Sequence, residues 1–191
     1  MNLKEAKKYI LTRLENELAD NLYYHGIHHT IDVYESVIRL SEAEKINKEE
    51  NCIIQTAALF HDAGFIYQYK HNESIAVKMI NEVLPSFNYS PLEIKTISEI
   101  ILTTRVKSHP STLLEKIMCD ADYDYLGRED VSKIANSLYK ELQEYGTSFK
   151  YTEWNQFQIE FLNKHQYYTK TAIDLRRENK WKYIKHLKGL K

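Results

Sequence analysis

Apolar residues along this chain recur at steps of three and four rather than two, a spacing that gathers them on one side of a helix and not on one face of a strand. Leu3, Tyr9, Ile10, Leu14 and Leu18 form one such stripe. Val33, Val37, Ile38 and Leu40 form the next, in a helix running from about Ile27. "INKEENCIIQTAALFHD" predicts a third helix, with Asn47 as N-cap and Glu50 three residues on in a capping-box arrangement, and Gly64 as its stop. A fourth, from about Asn72 to Leu84, ends before Pro85. A fifth opens near Ser90, with Pro91 at the first helical position and Glu93 at the third. Pro110 is expected just inside a sixth helix, "PSTLLEKIMCDADYDYL", closed by Gly127; a seventh, about Asp130 to Tyr145, is stopped by Gly146. From about Phe149 the chain is rich in Tyr, Trp and Lys and predicts one or two further helices over the core. The expected fold is all-α, a single-domain helical bundle over residues 1–191, with a motif core at about 23–128 and C-terminal helices at about 129–191.

Composition adds exclusions. The 26 Lys and Arg nearly balance 27 Asp and Glu, so the chain as a whole has no electrostatic attraction to nucleic acid or to an anionic membrane. No apolar stretch reaches the roughly 18 residues of a membrane span, and the charged N-terminus "MNLKEAKKYILTRLENELADN" is no signal peptide. Cys52 and Cys119 make neither a CxxC pair nor a disulfide ladder and are expected to be inert buried thiols. A reducing, cytoplasmic setting is expected. The tail "RRENKWKYIKHLKGLK" is locally basic, with Trp181, Ile184 and Leu187 on one helical stripe; a packed helix with solvated lysines is the first reading, a nucleic-acid-binding module the second.

Three short stretches carry candidate chemistry. "YYHGIHHTIDV" crowds His25, His28 and His29 at a helix start; His25 and His29 share a face only if the helix already includes Gly26. In "AALFHDAGF", His61 and Asp62 follow an apolar run, where adjacent side chains about 100° apart can both reach an ion off the helix end. A buried carboxylate there needs a cation or donors; the alternative is an exposed His61 with Asp62 capping the turn. "IMCDADYDYLG" sets Asp120, Asp122 and Asp124 close enough to repel one another unless water or a cation intervenes. One of them facing the core would complete a set of imidazoles and carboxylates with positions left for water. Such donors suit Mn, Fe, Co, Ni, Zn or, less well, Mg.

These stretches, in this order and about 30 and 60 residues apart, resemble the H…HD…D signature of the HD superfamily of metal-dependent phosphohydrolases. The resemblance covers about Tyr23 to Arg128. It implies His29 as the first metal-binding histidine, His61 and Asp62 as the paired ligands, and Asp122 as the last ligand, with Asp120 the competing position. It implies that His25 donates a proton to the leaving oxygen, although Gly26 stands where related phosphodiesterases have Asn. "KHNESIAVKMI" is similar to a stretch that follows the pair in the family and implies that His71 lies near the pocket; a loop histidine is the alternative. Asp62 is the bridge if two ions bind. Arg105, Lys107 and Arg128 are candidate phosphate-facing cations by their closeness in sequence to these motifs, with surface solvation the alternative.

The expected activity is hydrolysis of a phosphoester or phosphoanhydride, a nucleotide foremost, by water activated at a divalent cation. The expected partner is a small phosphorylated molecule. The competing expectation is a non-catalytic module that senses a nucleotide, or binds nucleic acid through the basic tail.

Overall fold

Short polar signatures start most of the helices, and their apolar stripes decide which faces they bury. The computed structural model describes residues 1–106, 108–148 and 150–189. In chain order the helices are α1 (Leu3–Glu17), α2 (Ile27–Glu44), α3 (Lys48–Phe60), α4 (Asn72–Val83), α5 (Pro91–Leu102), α6 (Leu113–Asp122), α7 (Val131–Glu144), α8 (Tyr151–Lys164) and α9 (Lys170–Gly189). Short 3₁₀ turns occupy Ala63–Ile66, Leu84–Phe87 and Asp124–Gly127, and no strand occurs among the described residues. The fold is all-α. Among the described residues no helix is long and apolar enough to cross a membrane.

The capping box predicted at Asn47 forms, and Ser90 with Glu93 forms another at the predicted start of the fifth helix: each cap side chain accepts the backbone N–H three residues on, and Glu50 and Glu93 accept in return from the cap residues. The sixth helix starts later than predicted. Pro110 lies outside it, and Thr112 with Glu115 forms the capping box that fixes the start at Leu113. The same helix ends at Asp122, so Asp124 to Gly127 form a separate turn. Phe149, near which the final helices were placed, lies outside the described residues.

α3 runs through the centre, buried continuously from Ile53 to Phe60, and packs on α1, α2, α5 and α6. A second apolar cluster joins Tyr24, Tyr125, Leu126 and Val131 to Ile159, Leu162, Tyr183, Ile184 and Leu187, among the last 3₁₀ turn, α7, α8 and α9. In α9 the buried stripe is displaced from the predicted one. Lys180, Tyr183, Ile184 and Leu187 face inward, whereas Trp181 stands 50% exposed. Lys180 is accommodated because its ammonium donates to the His165 carbonyl (2.6 Å) and reaches His165 Nδ1 (3.2 Å).

Two glycines predicted as helix stops act instead by close approach. A Cβ on Gly64 would lie 1.9 Å from the Asn72 carbonyl oxygen, so only glycine lets α4 begin against the Ala63–Ile66 turn. A Cβ on Gly127 would lie 2.4 Å from the Arg176 carbonyl oxygen, and α9 crosses there.

Candidate metal centre and substrate cavity

Helix ends deliver the polar side chains. α2 begins only after Gly26, so His25 precedes the helix and His29 sits in its first turns. α3 stops at Phe60, leaving His61 as C-cap and Asp62 at the following turn, while Asp122 is the last residue of α6. His61 and Asp62 are 1% and 8% exposed, so the exposed alternative for the pair does not describe this fold.

Three ligand atoms, on His29, His61 and Asp122, lie within 4.8 Å of one another, and Asp62 Oδ2 borders the two imidazoles. His29 Nε2 lies 3.1 Å from Asp122 Oδ1 and 3.5 Å from Asp62 Oδ2. His61 Nε2 lies 3.1 Å from Asp62 Oδ2, 3.8 Å from Asp122 Oδ1 and 3.4 Å from His29 Nε2. Ligand atoms about 2.0–2.2 Å from one ion stand roughly 3–3.5 Å from each other, so the His29, His61 and Asp122 atoms, with the 3.8 Å pair slightly wide, suit a shared cation. The hydrogen bonds point the same way. His61 Nδ1–H donates to the Ala58 carbonyl at 2.8 Å, which turns the other nitrogen toward His29 as the ligating face. Two imidazole nitrogens at 3.4 Å cannot both present lone pairs to each other without a proton or cation between them. Asp62 Oδ2 is buried with no hydrogen-bond partner. Burial alone would lower the His61 pKa, but the adjacent Asp62 carboxylate outweighs it and lifts it to about 9. The same contact overcomes the effect of burial on Asp62 and holds it well below the usual carboxylate range. Asp62 thus favours positive charge beside it, whether a proton on His61 or a bound cation.

The other two aspartates are engaged elsewhere. Asp120 Oδ1 accepts from the Tyr168 N–H, and Oδ2 from the N–H and hydroxyl of Thr169, each within 2.7–2.8 Å. Asp124, 1% exposed, accepts from Arg39 and, through both oxygens, from Arg176.

His25 is held beside this cluster by a residue that sequence reasoning missed. Glu141, on α7 and fully buried, accepts the backbone N–H groups of Tyr24 (2.8 Å) and His25 (2.9 Å) on Oε2. Its Oε1 accepts from His25 Nδ1–H (2.5 Å) and the Tyr69 hydroxyl (3.1 Å). Burial would lower the His25 pKa, but Glu141 outweighs it and the net shift is upward. Phe65 stacks on the ring at 4.3 Å. The signal was available: Glu141 falls on the apolar stripe of α7 that includes Ala135 and Leu138, where a charge needs a reason.

A cavity of about 320 Å³ opens on this cluster, with His25, Asp62, Asp122, Asn72 and Tyr69 at one end. Asn72 is the second residue missed; its Oδ1 is buried without a hydrogen-bond partner. The three predicted substrate contacts do not line this cavity. His71 is exposed, in a left-handed conformation (φ 60°) before α4. Arg105 turns to the Ser74 hydroxyl and Glu73, although Thr104 and Val106 on either side do line the cavity. Arg128 pairs with Asp32 (2.5 Å) and Asp130 (3.0 Å), on a second recess lined by His29 and, like the cavity, by Tyr24 and Tyr125. Lys107 lies outside the described residues.

The class follows from fold and site together: an all-α chain whose helix ends bring His, His-Asp and Asp to one point. The profile of the HD domain family matches residues 26–125, and the chain belongs to that family. Its structure is similar to that of Bacillus subtilis YpgQ, solved in complex with ADP, with 17% identity, a TM-score of 0.66, and 98% of this chain and 96% of that one covered. No curated protein sequence matches it.

Proposed function

We propose that this protein is a metal-dependent phosphohydrolase that cleaves a phosphoester or phosphoanhydride with activated water, working as one HD-type domain over residues 1–191. The observation that carries the proposal is the grouping of His29, His61 and Asp122 within 4.8 Å of one another, with the buried Asp62 carboxylate beside both imidazoles. The nitrogen and carboxylate donors suit Mn, Fe, Co, Ni or Zn, and Mg less well. A divalent cation bound there supplies acidification of water and neutralisation of phosphate charge.

The chain's own residues do the rest. The Asp62 and Asp122 carboxylates give the point negative charge that a cation would neutralise, and the Ala58 carbonyl fixes the tautomer of His61. Glu141 holds the Nδ1 proton of His25 and stabilises the cationic ring, so that the other nitrogen carries the proton given to the leaving oxygen. Phe65 and Tyr24 flank that ring and limit its rotation and its access to water.

Nucleotides are the first class to screen, in a cytoplasmic setting, because the structurally similar YpgQ was solved with ADP. The test is a hydrolysis screen over nucleoside mono-, di- and triphosphates with each divalent metal, run beside Asp62→Ala. Metal-dependent phosphate release that disappears in the variant is expected. Release that persists in it would place the activity elsewhere, and nucleotide binding without release would favour a sensor.

A further inference from the structure

The cavity has two unlike ends, and only one of them is accounted for by the chemistry above. Beyond Asp62 and Asp122 it continues into a chamber walled by Leu138 and Leu142 of α7 and Trp154, Phe157, Phe161 and Leu162 of α8. No lysine or arginine is among the described residues that line the cavity. Two of the polar side chains that line it are turned on each other, the Tyr183 hydroxyl donating to Gln158 Oε1 at 2.9 Å, and Gln158 Nε2 reaches away to Asn155 Oδ1 at 3.4 Å. A hydrocarbon-lined space of this size gives up packing contacts that an apolar occupant would restore. A nucleobase placed there would leave its polar edges with few partners, and a polyphosphate would meet no fixed cation among these residues.

We propose that this site acts on phosphate monoesters of apolar alcohols, with the phosphate at the His29, His61, Asp62 and Asp122 end and the hydrocarbon body in the α7–α8 chamber. The proposal rests on the hydrolase reading for turnover and on the chamber alone for recognition. The reaction is ROPO₃²⁻ + H₂O → ROH + HPO₄²⁻. Water oxygen bonds to phosphorus, the P–O bond to the alcohol breaks, the alcohol oxygen takes the His25 proton, and the proton released by water restores His25.

The test is a chain-length series on the Mn²⁺-loaded protein: n-alkylphosphonates from ethyl to octyl for binding, followed by tryptophan fluorescence, and the matching alkyl phosphates for phosphate release. Affinity should rise by about two- to fourfold per methylene and then level off as the chamber fills. Leu138→Gln should flatten the series, and Phe157→Ser, at a partly exposed wall position, should weaken the long chains more than the short ones. A series flat in the unaltered protein, or nucleoside monophosphates bound more than tenfold tighter than octylphosphonate, would overturn the proposal. Nucleotide turnover with a flat series would leave the hydrolase standing without the apolar substrate. A rising series with no phosphate release from any ester would leave the ligand class standing and remove the hydrolase.

Discussion

The two ends of the cavity are built by different means. The polar end comes from helix ends within the stretch matched by the family, where a few residues of sequence fix the ligand atoms: His29 in the first turns of α2, the pair at the end of α3, Asp122 at the end of α6. The apolar end comes from the flanks of α7 and α8, outside that match, where many side chains each contribute a little surface. Chemistry needs atoms placed to a few tenths of an ångström, which a helix terminus with its caps and turns provides. Selection of a body needs shape, which a stripe of replaceable apolar residues provides.

The largest effect should come from the polar end. Asp122→Asn is expected to reduce metal-dependent turnover at least about 10³-fold, with the fold intact by circular dichroism. In the unaltered protein, a metal present at about 100 times its dissociation constant should raise the melting temperature by roughly 5–10 °C, and this rise should be lost in Asp122→Asn and in Asp62→Ala. A variant that keeps the thermal shift would place the ion elsewhere.

The division between the two ends is broken at one point, where α7 sends Glu141 back to His25. His25→Gln should lower turnover by about 10²–10⁴-fold. Glu141→Gln should lower it by about 10- to 100-fold with little change in KM, because Glu141 does not line the cavity and acts through His25. The carboxylate is what raises the His25 pKa, so its loss lowers that pKa, and the alkaline limb of the pH–kcat profile should move to lower pH. An unmoved limb would reduce Glu141 to a structural acceptor for the Tyr24 and His25 N–H groups.

Asp120, Asp122 and Asp124 sharpen the comparison, since one short segment serves both purposes. Asp122 faces the cavity, whereas its neighbours fasten the C-terminal helices to the family core: Asp120 to the residues before α9, Asp124 to Arg176 of α9 and Arg39 of α2. Asp124→Asn leaves those guanidinium groups without their charge partner and should cost on the order of 3 kcal/mol, or about 6–12 °C in melting temperature, at unchanged kcat per folded molecule. Denaturant unfolding beside Asp122→Asn separates the two roles.

This segment also marks where the sequence stops being legible. Caps at Asn47 and Ser90 were readable because both partners lie within three residues, and the histidine-aspartate pair because its burial follows from the apolar run before it. Spacing alone did not choose among the three aspartates, because Thr169, which engages Asp120, is 49 residues away; the family resemblance implied Asp122, the one grouped with His29 and His61. Arg105 and Arg128 were proposed from closeness along the chain, but a long side chain ends where its nearest acid stands, here Glu73 for one and Asp32 and Asp130 for the other. The start of α6 was legible and misread: "TLLE" is a capping signature that competes with Pro110 for that role, and it prevails.

The smallest expected effect lies wholly in the C-terminal helices. His165, half-buried among Tyr123, Phe161 and Tyr167, has its pKa lowered to about 3 by burial and then by the ammonium of Lys180. A histidine that stays neutral when folded but protonates when unfolded contributes stability above about pH 6.5. That contribution fades as the pH falls toward 3, because only the unfolded chain gains the proton. Between pH 7 and 5 the loss should be about 1 kcal/mol, allowing for solvent screening at a partly exposed ring. His165→Asn keeps an acceptor for Lys180 and cannot titrate, so its unfolding free energy should fall by about that much less over the same interval. Equal slopes for the two proteins would show that this imidazole is protonated in the folded state as readily as in the unfolded one, and that Lys180 is held by the His165 carbonyl alone.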